Sequence, residues 1–244
     1  MAGRGRKRSG ARGGGRSKQV GFWRRLARRV IWVLMIGLVA LPVGLTLLYA
    51  FVPPPGTPLM IIRLFEGEAL AKRWVPLEEI SPLVARAVIA AEDNRFCEHF
   101  GFDLEAIGTA IEDYRAGERL RGASTISMQT AKNLFLWPGR SFLRKGLEAY
   151  LTAMIEILWS KQRIMEVYLN VAEWSSGGYG IEVAARRGFG KPAKDLTRWE
   201  ASLLASVLPN PRERSVANPS GKVVAQARRV SQRIEQLGPL LDCV

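Results

Sequence analysis

Glu92 is the residue whose type and position most suggest chemistry. The segment before it begins with Ser81-Pro82, a cap residue followed by proline at the first helical position. Its apolar residues recur at helical spacing: Val84, Ala87, Val88 and Ala91. Because Glu92 follows Val88 by four positions, we expect its carboxylate on this apolar face, near the helix end. An apolar setting raises the pKa of a carboxylate and suits a general base, although a helix-capping or surface glutamate fits the pattern equally well.

A second carboxylate, Glu148, stands with two basic residues on the longest amphipathic segment, which we expect to be helical from about Ser141 to Trp159. Arg144 and Lys145 precede it by four and three positions, so the three charges share one helical neighbourhood. They are predicted to lie away from the apolar stripe of that helix: Leu143, Leu147, Leu151, Met154 and Leu158. This pattern by itself also fits a solvated, salt-bridged helix face.

Four cations lie close to Glu148 in the sequence: Lys132, Arg140, Arg144 and Lys145. Lys132 and Arg140 flank the apolar run 134–137. Charge-assisted hydrogen bonds from such a group could hold a pyrophosphate leaving group. The cluster would suit an anionic, lipid-linked sugar donor. The apolar run could be plain core or a lipid-facing patch.

The N-terminal part of the chain indicates a membrane anchor. Residues 1–29 hold eleven of the 36 Lys and Arg and no acid, so most of the net charge of +14 lies there. We interpret these residues as a disordered basic tail rather than a nucleic-acid site. Residues 30–52 are uncharged and long enough to cross a bilayer of about 30 Å. The arginines just before them predict a cytoplasmic N-terminus, and a cleaved signal peptide is the alternative that we weigh less.

The remaining chain, 53–244, is predicted to be one mainly α-helical domain. A further helix is expected from Asp103 to about Tyr114, with inward residues Leu104, Ile107 and Ile111. Thr197 and Glu200 have the spacing of a capping box. A last amphipathic helix is expected around 223–237, with Ala227, Val230 and Ile234 as its inner face.

The cysteines and the histidine give weaker indications. Cys97 and Cys243 would permit one disulfide in an oxidising compartment, but the sequence does not show that they meet, and we treat them as unpaired. The single histidine, His99, has no metal-type Cys or His spacing around it, which argues against a zinc site.

Four ordered motifs resemble those of the peptidoglycan glycosyltransferases. Residues 92–101, EDNRFCEHFG, resemble the signature E-D-x-x-F-x-x-H-x-G, and residues 122–129, GASTISMQ, resemble G-x-S-T-I-T-Q-Q. Residues 144–148, RKGLE, and 164–170, IMEVYLN, resemble R-K-x-x-E and I-L-E-x-Y-L-N. The similarity covers about 70–220, and with the anchor the layout is similar to the monofunctional biosynthetic transglycosylases. Ser127-Met128 and Gly188 depart from the family pattern, which commonly has Thr-Gln and an aromatic residue there.

This resemblance implies a lysozyme-like helical fold with a small membrane-facing jaw. It implies polymerisation of lipid II, a disaccharide-pentapeptide on undecaprenyl pyrophosphate, at the outer face of the bacterial inner membrane. The partners would be lipid II, the nascent glycan strand and the membrane, with cross-linking synthases or division proteins left unidentified. No cofactor is required, and stimulation by a divalent cation such as Mg²⁺ or Mn²⁺ stays open.

The resemblance also assigns roles to matched positions. Glu92 would deprotonate the 4-hydroxyl of the acceptor, giving a β-1,4 bond with inversion, and Glu148 would orient the cations or assist departure of the leaving group. The phosphates would bind Lys132, Arg140, Arg144 and Lys145. The cleft would be lined by Ser124, Thr125 and Gln129. His99 would brace the motif loop.

Two rivals remain at this stage. A lytic, lysozyme-like enzyme also uses a single buried glutamate on a helical scaffold. A non-catalytic membrane scaffold would explain the basic tail and the anchor. A transpeptidase module is not expected, because no serine is followed three residues later by lysine and no K-T-G occurs.

Overall fold

The structure is a computed structural model that describes residues 14–117, 122–139, 141–238 and 243–244, with side chains from residue 22 onward. Arg140, one of the four predicted phosphate ligands, lies outside the described residues. The chain divides into two compact units, Met1–Leu45 and Thr46–Val244.

The first unit is helical throughout its described part. Helix α1 covers Gly14–Met35, a π-helical segment follows at Ile36–Ala40, and helix α2 runs over Leu41–Tyr49 into the second unit. The stretch Phe22–Tyr49 is long and apolar enough to cross a membrane, which fits a single-pass anchor. Helix α1 begins at Gly14, within the residues 1–29 that were predicted to be a disordered basic tail, and residues 1–13 of that tail lie outside the described residues.

The second unit is mainly α-helical, as predicted, with a small sheet. Its helices are α3 (Pro58–Phe65), α4 (Pro82–Glu92), α5 (Leu104–Arg115), α6 (Ile126–Phe135), α7 (Phe142–Leu158), α8 (Lys161–Val171), α9 (Ile181–Phe189), α10 (Arg198–Val207) and α11 (Gly221–Leu237). Its strands are β1 (Ala71–Lys72), β2 (Glu173–Ser175) and β3 (Gly178–Tyr179). Strand β3 pairs in parallel with β1 and antiparallel with β2.

Two helix groups form the core around the functional residues. Helix α10 packs against α4 and α11, and α6 packs against α7 and α8. The inner face of α11 is the predicted one: Ala227, Val230 and Ile234 are buried. Arg233 of α11 donates from Nη1 to the carbonyl oxygen of Ala90, at 3.0 Å, so α11 supports the last turn of α4 directly. The capping box of Thr197 and Glu200 at the start of α10 is confirmed.

One predicted helix face was wrong, and a second one is confirmed only in its later turns, where Leu151 and Met154 of α7 are buried. On α5, Leu104 is 76% exposed and Ile111 is 45% exposed, so the expected inner stripe faces largely outward. On α7, Leu143 is 72% exposed while Glu148 is only 3% exposed. The first two turns of α7 therefore turn their charged side inward. The apolar run 134–137 is partly core and partly surface, because Leu136 is buried and Trp137 is exposed.

Cys97 and Cys243 form a disulfide, so treating them as unpaired was wrong. Their Cα atoms lie 5.6 Å apart although the residues are 146 positions apart in the sequence. The bond ties the C-terminal end of the chain to the loop that follows α4. The helix and the loop that carry the first motif are thus supported by both Arg233 and Cys243.

We expect reduction of this disulfide to lower the free energy of unfolding of the full chain by about 2 to 4 kcal/mol, because the cross-link restricts the unfolded state. Thermal unfolding of the detergent-solubilised protein, with and without reductant, measures the change. The variant Cys97→Ser/Cys243→Ser is the control, and its midpoint should not respond to reductant. A wild-type midpoint that reductant leaves unchanged would contradict this contribution.

Candidate active site

Glu92 is the last residue of α4, and its carboxylate reaches a cleft formed with α6 and α8. Gln129 of α6 donates from Nε2 to Glu92 Oε2 at 2.9 Å. Tyr168 of α8 donates its hydroxyl to Gln129 Oε1 at 3.4 Å. Within the described residues, Glu92 Oε1 accepts no hydrogen bond from the protein. One carboxylate oxygen is therefore held, and the other is open to a substrate.

The surroundings of Glu92 make its carboxylate more basic. Burial raises the pKa of Glu92, and the negative charge of Asp93 adds to this rise. The hydrogen bond from Gln129 and the charges of Lys132 and Arg214 act in the opposite direction. Burial, with the negative charges of Glu92 and Asp93, raises the pKa of Tyr168 well above its ordinary value. Tyr168 stays protonated and keeps Gln129 oriented toward Glu92.

The loop 93–101, here called the signature loop, is fixed by hydrogen bonds. Asp93 is buried, its Oδ1 lies 2.8 Å from His99 Nε2, and its Oδ2 accepts from the backbone N–H of Ile126 at 2.9 Å. Thr125 donates its hydroxyl to the carbonyl oxygen of Gly101 at 2.7 Å. A carboxylate at the first N–H groups of α6 is also favoured by the helix dipole. These contacts join the first motif to the second one.

Lys161, at the start of α8, binds the signature loop. The sequence did not predict this contact. Its Nζ donates to the carbonyl oxygen of His99 and to Glu156 Oε1, each at 2.8 Å. It also lies 4.5 Å from the ring centroid of Phe96. Glu156 is buried and accepts a further hydrogen bond from the hydroxyl of Ser127. The sequence offers one clue to this network. The carboxylate Glu156 stands among apolar residues in the second half of α7.

The second carboxylate organises two cations beside the cleft. Glu148 accepts from Arg144 Nη1 at 3.0 Å through Oε2 and from Lys145 Nζ at 2.6 Å through Oε1. Lys145 Nζ also reaches the hydroxyl of Ser124 at 3.4 Å. Glu148 is buried, so the alternative of a solvated helix face does not apply to it.

Lys132 interacts electrostatically with both carboxylates of the site, Glu92 and Glu148. Burial lowers the pKa of Lys132, and the charges of Glu148 and Glu92 raise it in opposition to that effect. The positive charges of Arg144 and Lys145 lower it further. The base and the cations thus belong to one electrostatic site.

Three cavities open along this site. The first, of about 300 Å³, is lined by Glu92 and Asp93 together with Ser124 and Thr125 of the second motif. The second, of about 350 Å³, is lined by Lys132 and Arg144. The third, of about 170 Å³, contains Gln129, Lys132 and Tyr168 in its lining. Cavities therefore adjoin both the carboxylate of Glu92 and the side chain of Lys132.

The structure places each described site residue that the sequence predicted in this region. Glu92, Gln129 and Lys132 meet in the cleft, and Glu148 meets Arg144 and Lys145. The described residues contain no group of three or more His, Cys, Asp or Glu side chains that could hold a metal ion. The arrangement offers a carboxylate base next to a cationic site, which suits transfer of a group bound to an anionic leaving group.

We expect Lys161→Met to destabilise the full chain by about 3 kcal/mol, because it leaves the buried Glu156 carboxylate without its cationic partner. Chemical denaturation in detergent measures the loss. The double variant Lys161→Met/Glu156→Gln should recover part of that stability. The exposed Lys194→Met serves as the matched control. A loss no larger for Lys161→Met than for Lys194→Met would contradict the role of this network.

Comparisons with known proteins assign the family. The profile of the family described as Transglycosylase matches residues 60–235. A biosynthetic peptidoglycan transglycosylase of Caulobacter vibrioides is 50% identical over 225 residues, which cover 91% of this chain and 98% of that protein. One of Rhodospirillum centenum is 54% identical over 211 residues, covering 86% of this chain and 91% of that protein. The resemblance of the motifs is confirmed, and with it the enzyme class of peptidoglycan glycosyltransferase. The chain belongs to the transglycosylase family.

Proposed function

We propose that this glycosyltransferase polymerises lipid II into β-1,4 glycan strands and releases undecaprenyl pyrophosphate. The observation that carries the proposal is the position of Lys132, which lines one cavity with Arg144 and another with Gln129, the residue that holds Glu92. A base for the acceptor and a cationic site for the leaving group thus share one cleft. Hydrolysis of a glycan polymer would have no use for the cations, which argues against the lytic alternative.

In the proposed reaction, Glu92 takes the proton of the acceptor's 4-hydroxyl group. The hydroxyl oxygen forms a bond to the anomeric carbon of the lipid-linked growing strand, on the face opposite the leaving group. The bond from that carbon to the pyrophosphate oxygen breaks, and the electron pair leaves with undecaprenyl pyrophosphate. The configuration at the anomeric carbon is inverted. Oε1 is the proposed proton acceptor, because Oε2 is occupied by Gln129.

The leaving group would be bound by Lys132, Arg140, Arg144 and Lys145. Preorganised cations stabilise the charge that develops on a departing pyrophosphate. Glu148 would act as a positioning residue, because both of its carboxylate oxygens already accept from Arg144 and Lys145. Gln129 would orient Glu92, while Ser124 and Thr125 would line the side of the cleft beside Glu92. No cofactor enters this reaction, and stimulation by Mg²⁺ or Mn²⁺ is left to experiment.

We place the anchor in the bacterial inner membrane, with the N-terminus in the cytoplasm and the catalytic unit on the periplasmic side. The basic residues that precede the span support this orientation. The disulfide between Cys97 and Cys243 supports it independently, since such bonds persist in oxidising compartments. Lipid II and the growing strand are lipid-linked, so they would reach the enzyme by diffusing within the membrane. Cross-linking synthases or division proteins are the expected protein partners.

Glu92→Gln is expected to lower the rate of strand synthesis by about 10²- to 10⁴-fold, the usual contribution of a general base. Gel separation of the glycan chains made from labelled lipid II by the full-length protein in detergent measures this rate. Glu112→Gln changes an exposed glutamate of α5 and is the matched control, with wild-type synthesis expected.

Full strand synthesis by Glu92→Gln would remove Glu92 from the mechanism. Wild-type protein that fragments peptidoglycan but leaves lipid II unpolymerised would overturn the biosynthetic assignment in favour of the lytic one.

A further inference from the structure

A separate cavity of about 260 Å³ is lined by three arginines, and we call it the arginine pocket. The arginines are Arg187 at the end of α9 and Arg212 and Arg214 in the segment after α10. Its other polar side chains are the serines of the lining: Ser175, Ser176 and Ser215. None of the described lining residues is acidic. The cavity is therefore a site of concentrated positive charge.

Two of the three guanidinium groups have no carboxylate partner in the described part of the chain. Arg187 Nη1 donates to the hydroxyl of Ser175 and to the carbonyl oxygen of Ser176, each at 3.3 Å. Arg214 Nη1 donates to the carbonyl oxygen of Ser206 at 2.8 Å. Only Arg212 forms an ion pair there, with Glu68 at 2.6 Å. The remaining donors of Arg187 and Arg214 can serve an anion from outside.

Gly188 forms part of the wall of the arginine pocket, and a Cβ atom at this position would come within 2.5 Å of Val216 Cγ2. Val216 thus packs directly against the glycine, and any larger residue at 188 would need Val216 to move. The position is also one of the two at which the motifs depart from the family pattern. The present wall of the arginine pocket therefore depends on the glycine that this chain carries.

The arginine pocket adjoins the third cavity of the catalytic cleft. Pro211 lines both cavities, and the lining of the third one includes Gln129 and Lys132. A substrate bound by Lys132 could thus extend past Pro211 to the arginines.

Lipid II supplies an anion on a chain of suitable length. Its peptide branches from the sugar that carries the pyrophosphate, and the pentapeptide bears free carboxylates. Five extended residues span at most about 17 Å. With the leaving pyrophosphate of the growing strand near Lys132, the peptide on the sugar that carries this pyrophosphate would lead toward the third cavity.

We propose that the arginine pocket binds the carboxylates of the stem peptide on the sugar that carries the leaving pyrophosphate, chiefly through Arg187 and Arg214. The inference rests on the proposed function, because it assumes that the substrate is lipid II. The peptide carboxylates take no part in the reaction and are bound equally before and during it, so this binding should affect KM more than kcat.

The experiment compares lipid II with a derivative in which the peptide carboxylates are converted to amides. For the wild type, the KM of the amide should be about fivefold higher, with similar kcat, as expected for partly exposed charge pairs. Arg187→Gln should show nearly equal KM values for both substrates. Arg187→Lys should retain part of the preference, and Arg229→Gln, at an exposed arginine of α11, should retain all of it. High salt should reduce the wild-type preference.

The outcomes separate the two proposals. Equal KM values for the two substrates with the wild type, or an undiminished preference in Arg187→Gln, would overturn the arginine pocket as a peptide site while leaving polymerisation intact. Loss of kcat in Arg187→Gln with the preference unchanged would also count against it. Failure of the wild type to polymerise either substrate would overturn the proposed function itself.

Discussion

The carboxylate of Glu92 lies at the C-terminal end of α4, where both burial and the helix dipole disfavour a negative charge. This unfavourable position makes the group a better base than an exposed glutamate. It also requires that the surrounding structure hold the carboxylate in place. Gln129 holds one oxygen, Lys132 supplies a compensating charge, and Arg233 secures the last turn of α4 through the carbonyl oxygen of Ala90.

The other elements position what the base acts upon. Asp93 links the signature loop to the start of α6, and Lys161 links the same loop to α7 and α8. Glu148, buried on α7, keeps Arg144 and Lys145 beside Lys132. The helices thus hold the proton acceptor, Glu92, at a fixed position relative to the cationic site. Glycosyl transfer from a pyrophosphate donor needs both groups in place at once.

Local signals in the sequence predicted the helices that carry the site. They did not predict contacts between residues that are far apart in the sequence. Cap residues and apolar spacing gave α4, α10 and α11, because those helices are amphipathic in the ordinary sense. On α7 the burial of Leu151 and Met154 was predicted, but the burial of Glu148 was missed, because ion pairs stabilise it there. Lys161 was missed as well, because its contact with His99 joins residues 62 positions apart. The arginine pocket is likewise assembled from segments that only the fold brings together.

We expect Glu92 to act as a base whose pKa is raised by burial. The most direct test is the pH dependence of kcat/KM for lipid II polymerisation, which reports the ionisation of the free enzyme. The activity should fall as the pH decreases through a pKa above the ordinary glutamate value of about 4.3. Lys132→Met should move this acid limb to higher pH, because the positive charge of Lys132 lowers the pKa of Glu92. An acid limb at or below the ordinary value, unmoved in Lys132→Met, would contradict the account.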